Sequence, residues 1–185
     1  MKKELGAACL ALLALAAASG CEDRTVHGHD WAIGVHADPH DTAADEQAVA
    51  NLLEGLPEAW NARDAAAWAG IFAEESSFTN ILGMRFDDRT ANEARHAHLF
   101  ETIFAASHLA SEVSSVRVFA GDAAVAELEL TLRGYEQLPP GVEESEPGLL
   151  RTRLVTVLDK RHGRWIVVAA QNTAILPAAL AAPDA

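Results

Sequence analysis

Cysteine, cations and aromatic residues are all scarce in this sequence, and it has no long, clean hydrophobic span. Two cysteines in 185 residues are too few for a disulfide scaffold or a cysteine-based metal cluster. The 14 Lys and Arg residues face 27 Asp and Glu, a formal net charge of −13. That is the reverse of the basic footprint that nucleic acids select, so a nucleic-acid partner is excluded. No Gly-rich dinucleotide loop, flavin motif or haem-attachment pair occurs, and no redox cofactor is expected. No apolar run is clean enough for a multispanning protein. What is present is apolar material for one core, since half of the residues are hydrophobic.

The N-terminus reads as an address. Lys2 and Lys3 precede residues 5–18, which are almost wholly Ala and Leu, and Ser19 and Gly20 lead into Cys21. This is the layout of a bacterial export signal. Ala18-Ser19-Gly20-Cys21 resembles a lipobox, in which Cys21 carries the lipid and becomes the first mature residue; plain secretion and an uncleaved anchor are the alternatives. Cys9 lies inside the signal, so the mature chain keeps one thiol and no internal disulfide. The expected organisation is a lipoprotein-type signal peptide over 1–20, a flexible tether over 21–41, one domain over 42–175 and a Pro/Ala-rich tail over 176–185. The expected place is the bacterial cell envelope, attached through lipid at Cys21, or otherwise the periplasm or the medium.

The tether mixes charge, Gly, Pro and His without a sustained period. His27, His29, His36 and His40 lie near Asp30, Asp38 and Asp41, ligand types that suit zinc or copper. Their spacing matches no finger pattern, and a flexible segment loses entropy on closing round a metal, so no metal site is predicted.

Within the domain, Val49, Leu52, Leu53, Leu56 and Trp60 recur at helical spacing, with Asp41 or Thr42 as N-cap and Pro57 as a kink. Asp64 caps a second short helix carrying Trp68, Ile71 and Phe72. Residues 76–82 read as a strand. Thr90-Ala-Asn-Glu93 reads as a capping box opening a helix with Leu99, Phe100, Ile103 and Phe104 on one stripe. From there the period changes to two: strands over 113–119, 123–133, 149–160 and 165–174, with turns at Gly121-Asp122 and His162-Gly163 and a Pro/Glu-rich loop over 135–148. Helices first and hairpin strands afterwards predict an α+β fold, with N-terminal helices packed on a curved, mostly antiparallel sheet. Such a sheet makes a cone whose mouth is a natural pocket.

Six stretches carry a resemblance: Trp60-Asn-Ala-Arg-Asp64, residues 68–72, Phe78-Thr-Asn-Ile-Leu-Gly83, Arg95-His-Ala-His-Leu-Phe100, Gly163-Arg-Trp165 and Ala170-Gln-Asn-Thr173. Together they resemble the SnoaL-like superfamily, the cystatin-like cone fold of nuclear transport factor two, ketosteroid isomerases and scytalone dehydratase, and within it the SgcJ/EcaC branch. The likeness spans residues 44–174. It implies a homodimer with a pocket between sheet and helices, a scaffold on which enzymes and binding modules both occur.

His96 shares a helical stripe with Asn92, Leu99, Phe100 and Ile103, and is the one inward-facing group there able to move a proton near neutral pH. His98, rotated about 200° round the helix, faces solvent. Ketosteroid isomerases place a carboxylate base near Asn80, but an amide cannot take up a proton. The single tyrosine, Tyr135, sits at a loop edge, so isomerase chemistry is disfavoured. Of Gln171 and Asn172 only one can face the pocket, because strand side chains alternate. Trp60, Phe78, Phe100 and Phe104 are the apolar walls. Arg117 and Arg153 are strand residues that pair with Glu127 or Glu129 unless an anionic ligand claims them. Two functions follow. The first is a module that binds a small apolar or amphipathic molecule through Trp60, Phe78, Asn80, Asn92, Phe100 and Gln171 or Asn172. The alternative is a cofactor-independent acid/base enzyme, an isomerase, dehydratase or hydrolase, using His96. A purely structural dimer is a third.

Overall fold

The computed structural model describes residues 39–177, so Cys21, the export signal, His27, His29 and His36 lie outside the described residues. Three helices precede and interrupt a six-stranded sheet: α1 (Pro39–Ala62), α2 (Ala65–Gly70), β1 (Phe72–Thr79), β2 (Arg85–Phe86), α3 (Arg89–Glu101), β3 (His108–Phe119), β4 (Ala123–Arg133), β5 (Leu149–Arg161) and β6 (Arg164–Ala174). The sheet order is β2-β1-β6-β5-β4-β3. All pairs are antiparallel except β1 with β6. This is the α+β architecture with a curved open sheet that the sequence pattern predicts.

The helix pattern survives with shifted ends. α1 begins at Pro39, inside the segment assigned to the tether, since proline suits a first helical position where its missing N–H is no loss. It continues past Pro57 to Ala62. Val49, Leu53, Leu56 and Trp60 form its buried stripe, which lies on β3. Asp64 caps α2 as expected, accepting from the Ala67 amide at 2.8 Å. Phe72 belongs to β1 rather than to α2, because its backbone enters the parallel ladder opposite Val167. β1 therefore covers Phe72–Thr79, not 76–82. The cap of α3 is Asp88, which accepts from the Ala91 amide at 2.7 Å, so Thr90 lies inside the helix and the capping box does not form. Ile103 and Phe104 fall beyond the helix end at Glu101.

Alternation along the strands builds the concave face. Ala124, Ala126, Leu128, Leu130 and Leu132 of β4 are buried, as are Leu150, Thr152, Leu154, Thr156 and Leu158 of β5. Register breaks between Val113 and Ser115 in β3, and between Val157 and Leu158 in β5, bend the sheet round the helices. The β5–β6 turn places His162 and Gly163 at φ 52° and 76°, a conformation that glycine adopts without steric cost.

Candidate functional site

One structural junction sets the floor of the cone. At the end of α1 the Trp60 indole donates to the Ser107 hydroxyl at 3.0 Å. Arg63 donates to the carbonyls of Trp60, Ala105 and Ser107. Asn61 exchanges two hydrogen bonds with the Leu109 backbone, both at 2.9 Å. The Trp-Asn-Ala-Arg-Asp stretch thus fastens α1 and α2 to the start of β3. Trp60 then packs edge-on against Trp68 at 5.4 Å and Phe100 at 5.1 Å.

His96 is enclosed by this aromatic group. Its ring stacks on Trp68 at 4.4 Å and meets Phe78 edge-on at 5.5 Å. The inward orientation read from the helical stripe is the observed one, with 3% of the residue exposed. Nδ1–H donates to the Asn92 carbonyl, one turn back, at 2.9 Å, a tautomer required because a carbonyl only accepts. Nε2 then carries the lone pair. Burial is the main cause that pushes the pKa down to about 4; the bond to Asn92 opposes it and the neighbouring Arg95 charge adds to it. At neutral pH His96 is an uncharged hydrogen-bond acceptor.

A cavity of about 80 Å³ lies between helices and sheet, with Trp60, Trp68, Phe78, Leu99, Leu130 and Leu150 among its apolar walls. Polar groups interrupt them: His96, Asn80, Arg95, Thr152 and Asn172. Pro139 closes one side, because the 135–148 loop folds over the cone. Tyr135 donates to Glu144 at 2.8 Å and Glu144 accepts from the Gly148 amide at 2.9 Å. Burial, followed by the Glu144 carboxylate, raises the Tyr135 pKa to about 12, so this phenol is a loop tie and not an oxyanion donor. The exposed Leu82 and Met84 add an apolar lip beside Asn80.

The pairing register settles the last strand. Asn172 lies opposite buried Leu154, whereas Gln171 lies opposite exposed Val155. Directly opposed residues share a face. Asn172 therefore enters the cavity and Gln171, contrary to its place among the expected ligand residues, lies on the outer face with Ser77 and Thr79. Asn80 lies one residue past β1, and its Oδ1 accepts from the Leu82 and Met84 amides at 3.0 Å each; it shapes the lip as well as lining the cavity. Asn92 is buried but does not line the cavity; its carbonyl orients His96. Phe100 supports Trp60 from behind and is likewise not a wall. Arg117 and Arg153 are exposed; Glu129 pairs instead with Arg151. Among the described residues no cluster of metal-ligating side chains occurs.

Trp68, Arg95 and Thr152 were not singled out as site residues from sequence. The Trp68 Nε1, Arg95 Nε, Thr152 Oγ1 and Asn172 Oδ1 atoms are buried without a hydrogen-bond partner in the protein, and all four residues line the cavity. Buried polar atoms are normally satisfied; the Asn92 Oδ1 and Nδ2 atoms are also buried without a partner but do not line the cavity, so four of the six such atoms among the described residues gather round one space. Strand alternation could have put Thr152 inside, but the burial of one nitrogen of an arginine leaves no trace in sequence.

A cone between helices and a curved sheet, with unpartnered polar atoms on its walls, is the architecture of the cystatin-like class. Residues 53–168 match the SnoaL-like domain family, and the chain belongs to it. Among solved structures the chain is similar to a cystatin-like domain of unknown function from Nostoc punctiforme PCC 73102, with 24% identity, a TM-score of 0.62, and coverage of 73% of this chain and 80% of that one. It is also similar to an uncharacterised cystatin-like protein from Caulobacter vibrioides, with 25% identity, a TM-score of 0.60, and coverage of 72% and 92%. A ketosteroid isomerase-like protein from Erwinia carotovora atroseptica shares the fold at 15% identity, with a TM-score of 0.57 and coverage of 72% and 98%. No curated protein matches the chain.

Proposed function

We propose that this domain is a binding module which holds a small amphipathic molecule in its cone, at the bacterial cell envelope and anchored through Cys21. The observation that carries this reading is the set of unpartnered buried polar atoms on walls that are otherwise apolar, the combination expected of ligand pockets. At about 80 Å³ the enclosed part is well below the roughly 300 Å³ of common ligand pockets. It takes only a short apolar body, and the lip at Leu82 and Met84 receives the remainder. Placement at the envelope rests on the signal-like residues 1–20 and on Cys21. The homodimer rests on the family resemblance and on the exposed Val155 and Val157 of the outer sheet face; sedimentation of a Val157→Glu variant as a monomer, with the native protein a dimer, tests it.

The acid/base alternative has one observation in its favour, the lone pair of His96 Nε2 beside the cavity. Against it, a pKa near 4 makes His96 a weak base and an unprotonated acid at neutral pH. No carboxylate lines the cavity to share the work.

Titration with hexan-1-ol, read by the fluorescence of Trp60 and Trp68, tests the binding reading. Saturable quenching is expected in the native protein, weakened about fivefold or more by Leu150→Phe, which narrows the cavity. Equal quenching in both proteins would place the alcohol elsewhere and defeat the reading.

A further inference from the structure

Arg95 stands apart from the other cations. The chain carries 27 acidic residues against 14 basic ones, so a guanidinium has acids in excess to choose from, and Arg85, Arg89, Arg151 and Arg161 each pair with one. Arg63 is occupied by backbone carbonyls. Arg117, Arg133, Arg153 and Arg164 are exposed, where water serves them. Arg95 is the one arginine among the described residues that is shielded from full solvent yet makes no ion pair or hydrogen bond. It lines the cavity, and its Nε is fully buried and unpartnered.

The chemistry of the orphaned groups has a sign. Arg95 Nε–H and Trp68 Nε1–H are donors with no capacity to accept, and the Thr152 hydroxyl can turn to donate. Only an acceptor satisfies the first two. Arg95 is partly exposed, so water serves the outer part of its guanidinium, but its buried Nε–H has no partner, and no Asp or Glu lines the cavity to supply one. A carboxylate brought by the ligand would supply both the acceptor and a counter-charge. One cation faces the cavity and His96 adds no charge at neutral pH, so a monoanion balances the site where a dianion does not. The acceptors that remain, His96 Nε2 and Asn172 Oδ1, take a hydroxyl of the ligand or a water.

We infer that the cone selects an organic monoanion, a carboxylate on a short apolar body, with Arg95 as its counter-charge. This rests on the reading of the cone as a ligand site and names the class of ligand. Arg95 is a bidentate fork suited to a carboxylate, and the aromatic and leucine walls accept the hydrocarbon.

The test compares hexanoate with hexan-1-ol on the full chain at neutral pH, each titrated by tryptophan fluorescence. Hexanoate is expected to bind about tenfold or more tightly than the alcohol, as a charge-assisted bidentate pair requires, and Arg95→Gln to bring the two within about twofold of each other. Arg95→Lys, which keeps the charge but loses the fork, should retain part of the preference. Thermal melts of both variants confirm that they are folded, and the native preference alone decides the matter if either is not. Hexanol binding as tightly as hexanoate to the native protein overturns the anion inference while leaving the cone reading intact. A preference that survives Arg95→Gln overturns it too. If neither probe binds, the cone reading fails and takes this inference with it.

Discussion

A single imidazole illustrates how burial sets chemistry. His96 is as deep as the leucines around it, and its proton affinity is lowered because a charged ring would face aromatic walls and the Arg95 cation rather than water. In the unfolded chain the group titrates near 6.5, in the folded one near 4. Its contribution to stability is therefore complete above pH 6.5 and is lost progressively as pH falls towards 4, in total about 3 kcal/mol. Urea unfolding at pH 7 and pH 4 should show the native protein losing about that much more than a His96→Phe variant, whose core holds no titrating ring. Equal losses would mean that carboxylates alone govern the acid limb. Asn80 makes a different point at the same scale. It is legible as a polar residue near the cavity, yet half of its capacity is spent on the lip through two amides, which only the folded turn reveals.

Among the elements, the junction of α1, α2 and β3 explains the motif that carried the family resemblance. Trp60, Asn61, Arg63 and Asp64 are structural: one packs, one staples β3, one gathers three carbonyls and one caps α2. Asn61→Ala removes both bonds to the Leu109 backbone and should lower stability by about 2 kcal/mol, measured by denaturant unfolding. Hexanol affinity should stay near native, since Asn61 does not line the cavity. The strands were the most legible elements, and β4 has the bounds that its alternation predicts, Ala123–Arg133. Helix ends were less so. Asp88 and Thr90 both suit an N-cap, and the choice of Asp88 belongs to the backbone arriving from β2. Phe72 fits the helical stripe of α2 equally well until β6 offers its ladder.

At the scale of the whole molecule, the excess of acid bears on the proposed anchor at Cys21, because so negative a chain would not adhere to an anionic membrane through its surface charge. Cys21→Ser should abolish incorporation of labelled palmitate and release the protein from the membrane fraction; a variant that stays membrane-bound would defeat the lipid assignment. The sequence by itself determined the class of fold, the inward face of α3 and the apolar character of the cone, because periodicities of 3.6 and two record which side of an element meets the core. It left Gln171 and Asn172 undecided, since adjacent strand residues are interchangeable until a partner strand fixes the register, and Leu154 is that partner. It also gave no sign that Trp68, Arg95 and Thr152 share one cavity. They come from α2, α3 and β5, and the unmet hydrogen bonds that single them out are a property of the space between elements. Only tertiary packing creates that space, and with it the unmet donors on which the anion inference rests.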